Sequence, residues 1–161
     1  MDCFDLAFEK SLAHEGGYVN DPLDRGGETK YGITKRTYPT LDIAALTVND
    51  AKRIYKQDWW DKYGLHIINS CEVAMKFFDT IINTGFKNGS VILQNALLAC
   101  GEKVIVDGWA GTKTYAAVNR VNPEVLLAAF RAEQANYYKR IVMRNPSQKR
   151  FINGWLRRAY A

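Results

Sequence analysis

His14-Glu15-Gly16-Gly17-Tyr18-Val19-Asn20-Asp21-Pro22-Leu23-Asp24-Arg25-Gly26-Gly27-Glu28-Thr29-Lys30-Tyr31-Gly32-Ile33-Thr34 is the stretch around which the 161-residue chain is organised. Two glycine pairs and a fifth glycine are threaded with Glu15, Asp21, Asp24 and Glu28. Ahead of it, Phe4, Phe8 and Leu12 recur at helical spacing, with Ala7 beside them, so the segment reads as an amphipathic helix. Glu15 falls three residues after Leu12 and seven after Phe8, which continues the apolar stripe. Gly16-Gly17 then supplies the left-handed conformation that ends helices. A carboxyl group on that stripe, at a helix C-terminus, is pushed toward its protonated form by desolvation and by the helix dipole. That is the state a general acid needs. The competing reading, in which Glu15 frays into water, weighs equally on the pattern alone.

The turn formers Asn20-Asp21-Pro22-Leu23-Asp24 reverse the chain. Tyr18-Val19 and Thr29-Lys30-Tyr31 can then pair as a short hairpin, which sets Asp24 or Glu28 opposite Glu15. A protonated acid facing an ionised carboxylate is the equipment for cleaving a glycosidic bond. Nine steps of chain with a glycine pair at each end favour a wide, inverting spacing between Glu15 and Asp24.

Glu-Gly-Gly-Tyr at 15–18, followed by Asp-Pro-x-Asp-x-Gly-Gly-x-Thr-x-x-Gly-Ile-Thr at 21–34, resembles the opening signature of glycoside hydrolase family 108. Those are N-acetylmuramidases of phage lysis systems and of bacterial secretion of cell-wall enzymes. The resemblance implies that Glu15 is the catalytic acid. A looser likeness to phage lysozymes implies that Asp24 and Thr29 position the attacking water, with Asp21 and Glu28 as alternatives for the second carboxylate. It also implies peptidoglycan glycan strands as the partner. Tyr18, Tyr31, Trp60 and Asn83 are the candidates for substrate contact. No metal or organic cofactor is expected, because His14 and Glu15 are adjacent and adjacent helix residues point apart. The Asp21–Glu28 loop lacks the alternating ligand spacing of a calcium-binding EF-hand.

The net charge of +5 is unevenly spread. Residues 1–30 carry seven acids against three bases, whereas residues 131–161 carry eight bases against Glu133 alone. A basic end favours polyanions, among them wall polymers, though a solvated helix face explains it equally. Arg157 and Arg158 are expected to be exposed there and to assist wall association. No recognition motif for nucleic acid accompanies the charge. No apolar run approaches a membrane span, so stable membrane insertion is not expected. The first residues are acidic where a secretory signal would be basic. Synthesis in the bacterial cytoplasm, with release to the wall or periplasm by a holin or a dedicated exporter, is the expectation, and so is a monomer. Three cysteines, an odd number without zinc spacing, are read as free, with Cys71 and Cys100 as core residues.

Further along, Thr34 can cap a short helix that ends at Pro39. Thr47-Val48-Asn49-Asp50 reads as a capping box for a helix with Val48, Ala51, Ile54, Tyr55 and Trp59 on one face. Trp59-Trp60 closes it, one indole being suited to stack on a sugar and the other to fill a core. Ser70 caps an apolar helix that reads as the central buried one, with Asp79 and Asn83 as its polar exceptions. Asp79 is assigned to structure and Asn83 to the substrate cleft. His66 is assigned a structural role. Lys87-Asn88-Gly89 reads as a turn before a helix capped by Ser90. Asp107-Gly108-x-x-Gly111-x-x-Thr114 resembles a motif of peptidoglycan-binding modules, and its turns with Thr112 as N-cap explain it without any ligand. Asn122-Pro123-Glu124 opens a long helix, and Ser147 opens a last one. Phe151-Ile152-Asn153-Gly154-Trp155-Leu156-x-Arg158 resembles the closing motif of the same family. The expected fold is mainly α, a lysozyme-like helical domain with a small β-hairpin near the N-terminus. It spans 1–161 as one domain, with a catalytic lobe at 1–89 and a helical lobe at 90–161. A non-hydrolytic wall-binding protein is the alternative function.

Overall fold

A computed structural model of the chain describes residues 1–12, 17–22 and 27–161. Among the described residues there are seven α-helices and one three-stranded antiparallel sheet, so the protein is mainly α and lysozyme-like, with its sheet near the N-terminus. Two compact units divide it, Met1–Gly64 and Leu65–Ala161.

The first unit opens with α1 (Cys3–Leu12), which buries Phe4, Ala7, Phe8 and Ser11. The sheet follows, with β1 (Val19–Asn20), β2 (Glu28–Lys30) and β3 (Ile33–Thr34) in that order. Val19 pairs with Thr29 and Asn20 with Glu28, as the hairpin reading requires. The third strand was not expected. It forms because Tyr31 (φ 53°) and Gly32 (φ 77°) both take the left-handed conformation that a tight two-residue hairpin turn demands. Thr34 therefore ends a strand and caps one turn, accepting from the Thr37 N–H, and no helix runs from Thr34 to Pro39.

Helix α2 (Val48–Tyr55) has the expected capping box, with Thr47 and Asp50 exchanging hydrogen bonds. Those bonds, first of all the one from the Thr47 backbone, hold the Asp50 carboxyl below the usual range. The chain then widens into a π-helical turn at Lys56–Asp61. An α-helical period carries the buried face from Tyr55 to Trp59, whereas a π turn bonds i to i+5 and carries it to Trp60. Trp60 is accordingly the buried indole, 4% exposed, packed edge-on against Phe4 at 5.5 Å. Trp59 is half-buried. The Tyr55 hydroxyl donates to the Tyr31 carbonyl at 2.8 Å and so ties α2 to the turn of the sheet.

In the second unit, α3 (Cys71–Thr84) is capped by Ser70 and almost fully buried along Val73, Ala74, Phe77, Phe78 and Ile81. Cys71 at its first turn is disulfide-bonded and half-buried, and Cys3 is disulfide-bonded too, which corrects the reading of both as free. Cys100 is free and half-buried. Helix α4 (Phe86–Ala99) starts directly after Gly85, so Lys87-Asn88-Gly89 is helix and not turn. Gly89 is there for proximity. A Cβ at that position would lie 2.6 Å from Ile81 Cγ2 and 3.3 Å from Ile81 Cα, so the glycine lets α4 approach α3. Gly89→Ala gains at most about 1 kcal/mol of helix propensity but incurs about 1–3 kcal/mol of overpacking. A lower urea midpoint at unchanged slope is expected; a midpoint at or above that of the parent would refute the close-approach argument.

Helix α5 (Thr112–Arg120) leads to α6 (Pro123–Arg144), whose cap is Asn122. A 3₁₀ segment, Pro146–Phe151, then enters α7 (Ile152–Tyr160). Helix α6 packs on α3, α4 and α7. Polar groups join these helices internally. The Thr80 hydroxyl donates to Gln134, Gln134 donates to the Tyr138 hydroxyl, and Tyr138 donates to Asn83 Oδ1 at 2.5 Å. Lys76, itself buried, donates to the Arg158 and Ala159 carbonyls and thereby caps the end of α7. Asp79 accepts two hydrogen bonds from Arg158, at 3.0 and 3.1 Å. Asp79 is structural, as expected. Of the arginine pair only Arg157 is exposed; the Arg158 side chain retains 15% of its surface, which corrects the expectation that both face water.

Candidate functional site

Glu15 and Asp24 lie outside the described residues. What the structure describes is the hairpin whose strands flank the Asp24 segment. Thr29 sits at its centre, half-buried, paired with Val19 on one side and Thr34 on the other. Its hydroxyl donates to the Gly27 carbonyl at 3.4 Å. Tyr18 is exposed, and its hydroxyl donates to Glu28 Oε2 at 2.9 Å. This bond, above other influences, raises the Tyr18 phenol pKa. Of the two alternative carboxylates, Glu28 is thus engaged in a cross-strand hydrogen bond, and Asp21 lies just past the end of β1.

Tyr31 occupies the turn and not a strand, with Lys30 Nζ 5.5 Å from its ring centre. Trp60 is a core residue of the first unit, so it has no face to offer a sugar, and its assignment to substrate contact is corrected. The adjacent Trp59 is the indole with accessible surface, packed edge-on against Tyr63 at 6.1 Å. In the second unit Asn83 is exposed, but its Oδ1 is taken by the Tyr138 hydroxyl.

The second unit also contains a cavity of about 880 Å³ at residues 103–120, formed by the α4–α5 loop and the exposed side of α5. The loop is fixed from inside. Gln94, 1% exposed, donates to Asp107 Oδ1 at 2.9 Å and to the Trp109 carbonyl at 3.2 Å, and accepts from the Gly108 N–H at 3.1 Å. Ser90, also buried, accepts from the Ala110 N–H. The hydrogen bond from Gln94, and then that from the Trp109 N–H, hold the Asp107 carboxyl below the usual range. Gly108 (φ 77°) is needed for the turn itself. Gly111, and not Thr112, is the residue preceding α5, and no side chain caps that helix. The sequence reading assigned no role to Gln94, Lys103 or Lys113. A glutamine inside the apolar run Val91-Ile92-Leu93-Gln94-Asn95-Ala96-Leu97 was the signal that could have revealed the anchored loop.

The mainly α, lysozyme-like fold with its small sheet near the N-terminus fits the class that the comparisons support, a glycosidase directed at peptidoglycan. Residues 8–85 match the family model described as glycosyl hydrolase 108, and residues 88–160 match the model described as predicted peptidoglycan domain. The chain carries a family 108 glycosyl hydrolase domain followed by a peptidoglycan-binding region. Among solved structures it is similar to one titled "Structure of Brucella abortus SagA", with 27% identity and a TM-score of 0.79, over 97% of this chain and 88% of that one. No curated protein sequence matches it.

Proposed function

We propose that the chain is an N-acetylmuramidase, cleaving the β-1,4 bond between N-acetylmuramic acid and N-acetylglucosamine. Glu15 protonates the leaving oxygen, and Asp24, with help from Thr29, orients the water. The observation that carries this reading is the gapless signature at 15–34, which lies inside the matched hydrolase region 8–85. Peptidoglycan is the partner, and the enzyme acts as a monomer on the wall after release by a holin or exporter from the cytoplasm.

Digestion of purified peptidoglycan, followed by borohydride reduction of the new ends, tests the bond assignment. Reduced muramic acid is expected; reduced glucosamine would mean that the other β-1,4 bond is cut, and no new ends at all would leave a binding protein. The same digest followed by NMR before mutarotation reads the stereochemistry. An inverting enzyme, with about 6.5–9.5 Å between its carboxyl groups, releases the α-anomer first. Early β-anomer would make Asp24 a nucleophile instead.

A further inference from the structure

We infer that the α4–α5 loop cavity of the second unit binds a carboxylate-bearing peptide, namely the stem peptide of peptidoglycan, and not its sugars. The inference rests on the reading of residues 88–160 as a peptidoglycan domain, and it adds the place and the part of the polymer recognised.

The first observation is apolar surface held open. Trp109 is 62% exposed and Ile105 80% exposed, both lining the cavity. Exposed apolar residues in a floppy loop would need no explanation. Here the loop is pinned by buried Gln94 and Ser90, and the Trp109 ring stands edge-on to Phe86 at 4.9 Å. Burying a glutamine and satisfying its amide on both sides is a costly way to hold a loop unless its outer surface has a use. A preformed aromatic wall loses little conformational entropy when a ligand arrives.

The second observation is charge. The cavity is lined by Lys103, Lys113 and Arg120 against the single carboxylate of Asp107. Asp107 is engaged inward by Gln94 and the Trp109 N–H, and Arg120 is paired with Glu102 at 3.0 Å. Two ammonium groups remain, since neither Lys103 nor Lys113 forms an ion pair among the described residues. Lys113 also sits in the first turn of the nine-residue α5, where no side chain caps the free N–H groups and the helix dipole favours an anion.

A cavity lined by apolar surface and by two cationic groups suits a ligand with a small aliphatic body and carboxylates. The stem peptide has that chemistry, with alanine methyls, the α-carboxyl of its D-glutamate and a C-terminal carboxylate. N-acetylglucosamine is neutral and would stack on Trp109 while leaving both lysines unused.

The test is a titration of the full-length chain, followed by calorimetry and amide NMR, with three probes. They are the synthetic tetrapeptide L-Ala-γ-D-Glu-diaminopimelate-D-Ala, the same peptide with its carboxyls amidated, and a tetramer of N-acetylglucosamine. The tetrapeptide is expected to bind saturably and to shift the amides of Lys103, Trp109 and Lys113. Amidation, the K103Q/K113Q double substitution and Trp109→Ala are each expected to weaken it about tenfold or more. Circular dichroism checks that each variant is folded. No saturable binding, unchanged affinity in K103Q/K113Q, or shifts at this loop with the sugar tetramer but not the peptide would each overturn the inference. A chain that binds the tetrapeptide but cleaves no wall removes the hydrolase reading and supports this one. A chain that cleaves walls and ignores the tetrapeptide does the reverse.

Discussion

Glu15→Gln is expected to lower the clearing of purified cell walls by about 10²–10⁴-fold, the contribution of a positioned general acid, while leaving the melting temperature unchanged. The amide is nearly isosteric with the carboxyl and keeps its hydrogen-bonding capacity, but it has no proton to deliver to the leaving oxygen. Of the carboxylates in the 15–34 signature, Glu15 alone continues the periodicity of Phe4 and Phe8, two side chains that α1 buries. By the sequence spacing, Glu15 is expected to be desolvated beside that stripe and to face the negative end of a helix, both of which favour the protonated acid. Neither effect contributes to packing, so the variant should fold. Binding to intact walls should survive as well, since the second unit is untouched. Wall clearing within a few-fold of the parent, by a variant with unaltered circular dichroism, would remove Glu15 from the mechanism.

What the sequence disclosed and what it concealed separate by the range of the interaction involved. Thr47, Ser70 and Asn122-Pro123 cap their helices as read, because a cap is made within three or four residues of the chain. The β1–β2 hairpin was legible for the same reason, through the turn formers between its strands. Gly89 was misread because its use lies in a neighbouring helix: local rules assign a glycine after Lys-Asn to a turn, whereas the close approach to Ile81 requires it inside α4. The Trp59–Trp60 exchange was concealed by a change of helical period that no residue announces. Strand β3 is two residues long, too short for alternation to register. Around the candidate site, the signature named the chemistry, while the cavity beside α5 depends on Gln94, whose partners lie up to 20 residues away in sequence.

Arg158→Ala is expected to destabilise the protein by about 2–4 kcal/mol, somewhat below the roughly 3–5 kcal/mol for stripping one partner from a fully buried ion pair, because this pair is part-buried. Arg157→Ala should stay within about 0.5 kcal/mol, as exposed substitutions do. Two adjacent arginines with the same sequence environment thus differ because of where α7 turns them. The Arg158 and Asp79 side chains retain 15% and 14% of their surface, and two parallel hydrogen bonds join them. Removing the guanidinium leaves the Asp79 carboxylate largely desolvated with that partner gone. It also disturbs the last turn of α7, whose carbonyls at Arg158 and Ala159 are held by Lys76. For a chain of this size the loss corresponds to a fall of about 4–16 °C in melting temperature. Replacing both partners by apolar residues, Asp79→Leu with Arg158→Met, should recover part of it, because both charges of the pair are then removed together. The basic C-terminal end was expected to serve wall association through both arginines; on this structure Arg157 is the one available for it. A thermal melt of the two single variants beside a wall pull-down separates the roles. Arg158→Ala melting within about 2 °C of the parent, equivalent to less than about 1 kcal/mol, would show that the Asp79 pair holds nothing together.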